Sequence, residues 1–337
     1  MSSMSLKWVT GLVTLFFLSV AFADSHVSPH AKSFIFPGSN HVLKNGDIIL
    51  SNSYGLYSAL NSHYGSPQGR YSHALVYMEE AQSGGVLLDF SGHGLQELPP
   101  DLSMVSANEM ALVRPRTAPA PGTLSSALKQ LKSRQLQFDY EMRWPALESS
   151  STYCAGFVSQ LFRLAALPDP FPPNESGAAP DRFITLWARE NLGLDLELIV
   201  SPNKVLFLDS FELISEYKPR DLNASLPRII SRAAVRKVQD YLEQDGLMLL
   251  PPRAGSSFVI GLTNAGSFDG VTIAQLPEHR RASFLSLQEF TQKVIYRVTR
   301  YVRLHDENDW TEQDVEEISR AVADQYRDSF FTKRNPS

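Results

Sequence analysis

Apolar residues fall in short runs along the first third of the chain, at Asp47–Leu50, Ala74–Met78, Val86–Phe90 and Met110–Arg114. Gly, Ser, Pro and Asn separate these runs, a pattern that predicts strands of a small antiparallel sheet. The period then changes. Pro119, Pro121 and Gly122 break the strand pattern, and Leu124, Leu128 and Leu131 recur at helical spacing behind Thr123, which suits a helix cap. A second amphipathic stretch carries Phe157, Val158, Leu161, Phe162, Leu164 and Ala165, and Pro168 and Pro170 stop it. The hydroxyl run Ser149-Ser150-Ser151-Thr152-Tyr153 precedes that stretch and suits its N-cap, so Cys154 falls in the first helical turn. Further on, the pattern predicts a helix over Phe183–Asn191, a strand over Val205–Leu208, and helices over Ala233–Leu242, Phe290–Leu304 and Glu316–Phe330.

The N-terminus has its own logic. Lys7, the apolar run Val9–Leu18 and the small-residue site Ala21-Phe22-Ala23 read as a secretory signal cleaved after Ala23. No other stretch approaches the roughly 20 apolar residues of a membrane span. Loss of residues 1–23 removes one lysine and moves the formal charge from −5 to −6, mildly acidic and without a basic stripe for nucleic acid. The expected location is periplasmic or secreted.

Export makes the cysteine count informative. A chain with one cysteine makes no internal disulfide in an oxidising compartment, so Cys154 is either an inert buried residue or a working thiol. Its place in a helical first turn favours the second, because free backbone N–H groups and the positive end of the dipole stabilise a thiolate and an oxyanion. A base must accompany it. Of eight histidines, only His73 heads a predicted strand, where alternation groups it with Leu75 and Tyr77 and is expected to turn it toward the helix-covered face. Asp89, a carboxylate in the apolar run Val86–Phe90, is the candidate to orient the imidazole, since burial of an acid is costly unless it is paired. His93, between Gly92 and Gly94, is the fallback orienter. Tyr71, Ser72 and Tyr153 flank the pair and are expected to form the substrate and oxyanion neighbourhood.

The order His, acid, Cys resembles the circularly permuted papain-like fold of the NlpC superfamily, in particular its YiiX/YebB-like amidase branch, with lecithin:retinol acyltransferase as a more distant relative. Asn45-Gly46-Asp47-Ile48-Ile49-Leu50 is similar to the family's opening Gly-Asp strand, and Gly69-Arg70-Tyr71-Ser72-His73-Ala74 to its Ser-His segment. Gln137-Phe138-Asp139-Tyr140 resembles the Tyr-Asp motif before the cysteine, and Val205–Phe211 the segment that closes the domain. Ala155-Gly156 stands where relatives commonly carry Ser-Glu, and the loop Glu79–Gly85 is longer than in compact members. The resemblance implies an α+β fold, a small antiparallel sheet packed on the cysteine-bearing helix, over residues 24–215. Residues 216–337 lie outside it as a mostly helical region.

The activity so implied is cleavage of an amide or isopeptide bond through an acyl-enzyme, without metal or other cofactor, on a peptide or acyl-amide substrate such as peptidoglycan stem peptides. Lipid acyl transfer or deacylation on the same fold, and a catalytically silent binding module, are the competing readings. Asp306–Glu317 fails as a calcium loop, because Trp310 and Thr311 stand where an oxygen ligand and a glycine are needed. Thr311 with Asp314 instead suits a helix cap. Arg228, Arg232, Arg236 and Lys237 form the one face suited to anionic lipid or a cell-wall polymer; nothing else indicates membrane contact.

Overall fold

The computed structural model describes residues 33–52, 70–79, 84–91, 93–100, 109–138, 147–172, 201–219, 221–243, 245–250, 278–305 and 309–333. The expected signal at 1–23, the expected helix Phe183–Asn191 and the pair Asp139-Tyr140 lie outside these residues. What is described is a mixed α/β structure with an antiparallel sheet and several helices.

The sheet contains β1 (Ile48–Asn52), β2 (His73–Met78), β3 (Val86–Ser91), β4 (Gly94–Leu98), β5 (Glu109–Pro115) and β8 (Phe211–Tyr217). They run in the order β4-β3-β2-β1-β5-β8, every neighbour antiparallel. Two short strands, β6 (Gln137–Phe138) and β7 (Ser151–Thr152), pair apart from it. All four expected strands are present, with ends shifted by one or two residues. The sheet is covered on both sides, which explains why its central strands read as continuous apolar runs. Ile48, Leu50, Ala74, Val76, Leu88 and Phe90 face the helix α2 (Cys154–Leu164), where Phe90 stacks on Phe157 at 5.4 Å. Ile49, Leu75, Tyr77, Leu87 and Leu112 face Phe36 and Leu43 of the N-terminal segment.

Two contacts fix the register of the strands that matter for the site. Tyr77 donates its hydroxyl to the Gly84 carbonyl at 2.7 Å, and a Cβ on Gly85, at φ +123°, would lie 2.3 Å from that hydroxyl oxygen. Glycine is therefore required where β2 turns into β3. Asp47, fully buried, receives Nε and Nη2 of Arg114 from β5 at 2.7 Å each and the Lys44 N–H at 2.8 Å. Arg114 also donates to the Val42 carbonyl at 2.9 Å. This two-pronged geometry satisfies a carboxylate that burial would otherwise penalise. The Arg114 guanidinium is held above its usual pKa mainly by its hydrogen bonds to Asp47.

Three expectations about local structure change. Residues Pro202–Phe207 form a 3-10 helix rather than a strand; Ser201 caps it by accepting from the Asn203 N–H at 3.2 Å, and Pro202 takes its first position. The cap of α1 (Thr123–Ser133) is Gly122 at φ 77°, while the Thr123 hydroxyl donates to the Ala120 carbonyl. The hydroxyl run before Cys154 supplies no side-chain cap either: Tyr153 holds the cap position in extended conformation.

Beyond the sheet, α3 (Leu222–Glu243), α4 (Glu278–Leu304) and α5 (Glu312–Phe330) pack together around Tyr241, Phe290, Phe330 and Phe331. Strands β9 (Leu247–Leu249) and β10 (Phe331–Lys333) pair beside them. Thr311 and Asp314 form the expected capping box of α5. Three of the four basic residues of α3 are paired within the molecule: Arg228 is buried between Glu109 and Glu312 at 3.2 Å each, Arg236 reaches Glu316 at 2.6 Å, and Lys237 reaches Asp324 at 2.8 Å. These cations form a seam to α5 and β5. The expected boundary after residue 215 falls within β8. Among the described residues no helix is long and apolar enough to cross a membrane.

Breaking the Asp47–Arg114 pair strands a half-sequestered guanidinium, which costs about 3 kcal/mol. Asp47→Ala is expected to lower the urea midpoint accordingly, and Asp47→Ala/Arg114→Met to recover part of the loss; an unchanged midpoint in the single variant would show that the pair does not hold the sheet.

Candidate active site

The antiparallel registers gather the informative residues at one end of the sheet. His73 starts β2 opposite Ser51, Glu109 starts β5 opposite Asn52, and Asp89 lies two residues from the end of β3. His73 Nε2 and Asp89 Oδ1 are 2.7 Å apart, with side chains 25% and 15% exposed. That assigns Asp89, not His93, as the partner of the imidazole. His93 is exposed and acts on Asp89 only through its charge, a minor cause of the lowered Asp89 pKa.

The thiol of Cys154, 6% exposed, acts on the same imidazole both by charge and by hydrogen bonding. With Nε2 engaged by Asp89, Nδ1 is the ring nitrogen left for the sulfur. His73 and Asp89 are thus in direct contact, and Cys154 lies near enough to the same imidazole to act on its charge.

The route of His73 to the thiol differs from simple alternation. Ala74, Val76 and Met78 point into the core under α2, whereas Leu75 and Tyr77 point to the opposite face. Alternation alone would send His73 away from Cys154. His73 is the first residue of the strand, however, and the ladder is irregular there. The Ser51 carbonyl accepts from the Ser72 N–H at 3.0 Å, although its register partner is His73. This off-register bond marks the place where the chain leaves the regular ladder, next to His73.

Electrostatics polarise the trio. Burial opposes charge on His73, but the Asp89 carboxylate and the Cys154 sulfur outweigh it and hold the imidazole pKa well above 6.5. Burial likewise works against the Asp89 carboxylate, and the charge and hydrogen bond of His73 outweigh it, so the acid sits below its usual value. The first N–H groups of α2, the helix that Cys154 opens, lie in a first turn that no side chain caps, and the Tyr153 carbonyl accepts the Phe157 N–H at 2.7 Å. The helix start can stabilise negative charge on sulfur or on a nearby oxygen.

Of the expected flanking residues, Tyr153 adjoins the thiol in the chain and is buried. Ser72 is buried with its hydroxyl 3.4 Å from Asn52 Oδ1. Tyr71 is no part of a substrate surface: it is fully buried, and its hydroxyl donates to Glu216 at 2.8 Å. Burial first, and then this hydrogen bond, raise its pKa. Sequence reasoning missed Asn203, whose side chain accepts the backbone N–H groups of Arg70 and Tyr71 at 2.9 Å each. The signal was the Ser201-Pro202-Asn203 start of a capped turn. Among the described residues there is no cluster of three or more His, Cys, Asp or Glu side chains suited to a metal ion.

No protein-family model matches the chain, and no curated protein matches it. Among solved structures the chain is similar to the metalloprotein YiiX from Escherichia coli O157:H7, at 16% identity and a TM-score of 0.40, over 52% of this chain and 98% of that one. The likeness is weak, and the residues of the site themselves carry the functional reading that follows.

Proposed function

We propose that this protein is an exported thiol hydrolase that cleaves an amide or isopeptide bond through an acyl-enzyme, with peptidoglycan stem peptides as the first substrate class. The observation that carries this reading is the 2.7 Å contact of Asp89 with His73, an imidazole whose raised pKa also responds to Cys154 at the start of α2. In this reading residues 24–215 are the catalytic unit, of circularly permuted papain-like type, and residues 216–337 the helical region attached to it.

Chemically, the proton of Cys154 already rests on His73 in the paired state, and the thiolate sulfur attacks the substrate carbonyl. The oxyanion that forms is stabilised by N–H groups at the start of α2. Asp89 stabilises the imidazolium, which then gives the proton to the departing amine as the C–N bond breaks, leaving a thioester on Cys154. Water, deprotonated by the now neutral His73, attacks the thioester; the carbonyl is released as a carboxylic acid and the thiol is restored.

The first test is incubation of the wild type and Cys154→Ala with peptidoglycan fragments and with short acyl amides and esters, followed by mass spectrometry. Release of amine that requires Cys154 is expected, with His73→Ala slower by about 10²–10⁴-fold. Ester-only turnover would move the assignment to lipid chemistry, and identical wild type and Cys154→Ala would leave a binding module.

The pH behaviour follows from the coupled pair. His73 has a raised pKa, so its contribution to stability is complete below the unfolded value near 6.5 and is lost as pH rises through the higher folded value. Asp89 has a lowered pKa, so its contribution is present above 3.8 and is lost as pH falls through the lower folded value. Between these limits both charges are in place. Imidazole NMR is expected to show His73 titrating above 6.5 in the wild type, and Asp89→Asn to shift that titration down toward 6.5. A His73 that titrates identically in both proteins would contradict the pairing.

A further inference from the structure

The chain reaches His73 through Arg70, Tyr71 and Ser72, none of which belongs to β2. Irregular backbone at the head of a strand needs other partners for its N–H and C=O groups. Asn203, 2% exposed, supplies them. Its Oδ1 accepts from the N–H of Arg70 and of Tyr71 at 2.9 Å each, and its Nδ2 donates to the Tyr71 carbonyl at 2.7 Å and to Ser201 Oγ at 2.7 Å. Both ends of the amide are thus engaged twice.

The same stretch of chain holds the side chains of these residues. Glu216 on β8 accepts from the Tyr71 hydroxyl and from Arg70 Nη1, both at 2.8 Å. Arg70 also lies 3.9 Å from Glu109, which pairs with the buried Arg228 at 3.2 Å. Residues 201–217 therefore grip the two residues that lead into His73 by backbone and side chain together.

From this geometry we infer that Asn203 is a positioning residue for the Cys154–His73 pair: its amide fixes the path of Arg70 and Tyr71 and thereby the direction from which His73 meets the sulfur. The inference rests on the thiol–imidazole reading above. Ångström-scale misplacement of a reacting group costs on the order of 100-fold, whereas a purely structural amide would cost stability alone.

The test uses the sole cysteine of the full chain and needs no substrate. The rate of Cys154 alkylation by iodoacetamide is measured at neutral pH in the wild type, His73→Ala, Asn203→Ala and Ser201→Ala, with thermal unfolding and the His73 imidazole titration alongside. His73→Ala is expected to slow alkylation. Asn203→Ala is expected to slow it roughly 10–100-fold at temperatures where the variant is fully folded, and to bring the His73 titration down. Ser201→Ala, which removes one support of the amide, is expected to do the same to a smaller degree and serves where Asn203→Ala does not fold. A folded Asn203→Ala, or in its place Ser201→Ala, with wild-type alkylation and wild-type His73 titration would overturn the positioning role while leaving the catalytic pair intact. Alkylation indifferent to His73→Ala would overturn the pair itself, and the inference with it.

Discussion

A carboxylate drawn largely out of water at the end of a sheet is unstable unless something charged or strongly donating faces it, and Asp89 has His73 at 2.7 Å. Each partner justifies the burial of the other, and both pKa values move apart from their ordinary values as a result. That mutual dependence fixes the imidazole by its Nε2 on the acid and leaves Nδ1 as the ring nitrogen free to meet a thiol. Everything else near the site serves to keep β2 and β3 in the register that makes the pair possible. The Tyr77–Gly84 bond closes their turn, the Phe90–Phe157 stack seats the thiol-bearing helix, and the grip of residues 201–217 sets the approach to His73.

A second class of buried charge runs through the molecule. Asp47–Arg114 joins the residue just before β1 to β5, and Glu109–Arg228 joins β5 to α3. Glu109 and Arg228 are 2% and 4% exposed, and each retains a polar atom without a hydrogen-bond partner among the described residues. Such pairs contribute little net stability but strongly penalise any packing that separates them. The helical region is thereby tied to the end of the sheet that carries His73, since Glu109 also faces Arg70.

Much of this was legible in the sequence, for identifiable reasons. The strands and the amphipathic helix behind Cys154 announced themselves by period, and an aspartate inside an apolar run named its own need for a partner. Alternation grouped His73 with Leu75 and Tyr77 correctly along the strand, but it could not tell which face α2 covers, and those two residues face the N-terminal segment instead. The 3-10 helix at Pro202–Phe207 looked like a strand because four apolar residues in a row carry no helical period. The basic residues of α3 suggested an outward face, since sequence does not show that Glu312, Glu316 and Asp324 of a later helix come to meet them. Asn203 was hidden for the same reason: its partners lie more than 130 positions away.

The most direct examination of the central claim is acid-quench intact and peptide mass spectrometry of the wild type mixed with an acyl amide or activated acyl ester. The account predicts a hydroxylamine-labile acyl group on the peptide that contains Cys154, formed and consumed within the time course of turnover. Turnover without any adduct on Cys154, or with the acyl group on another residue, would contradict it.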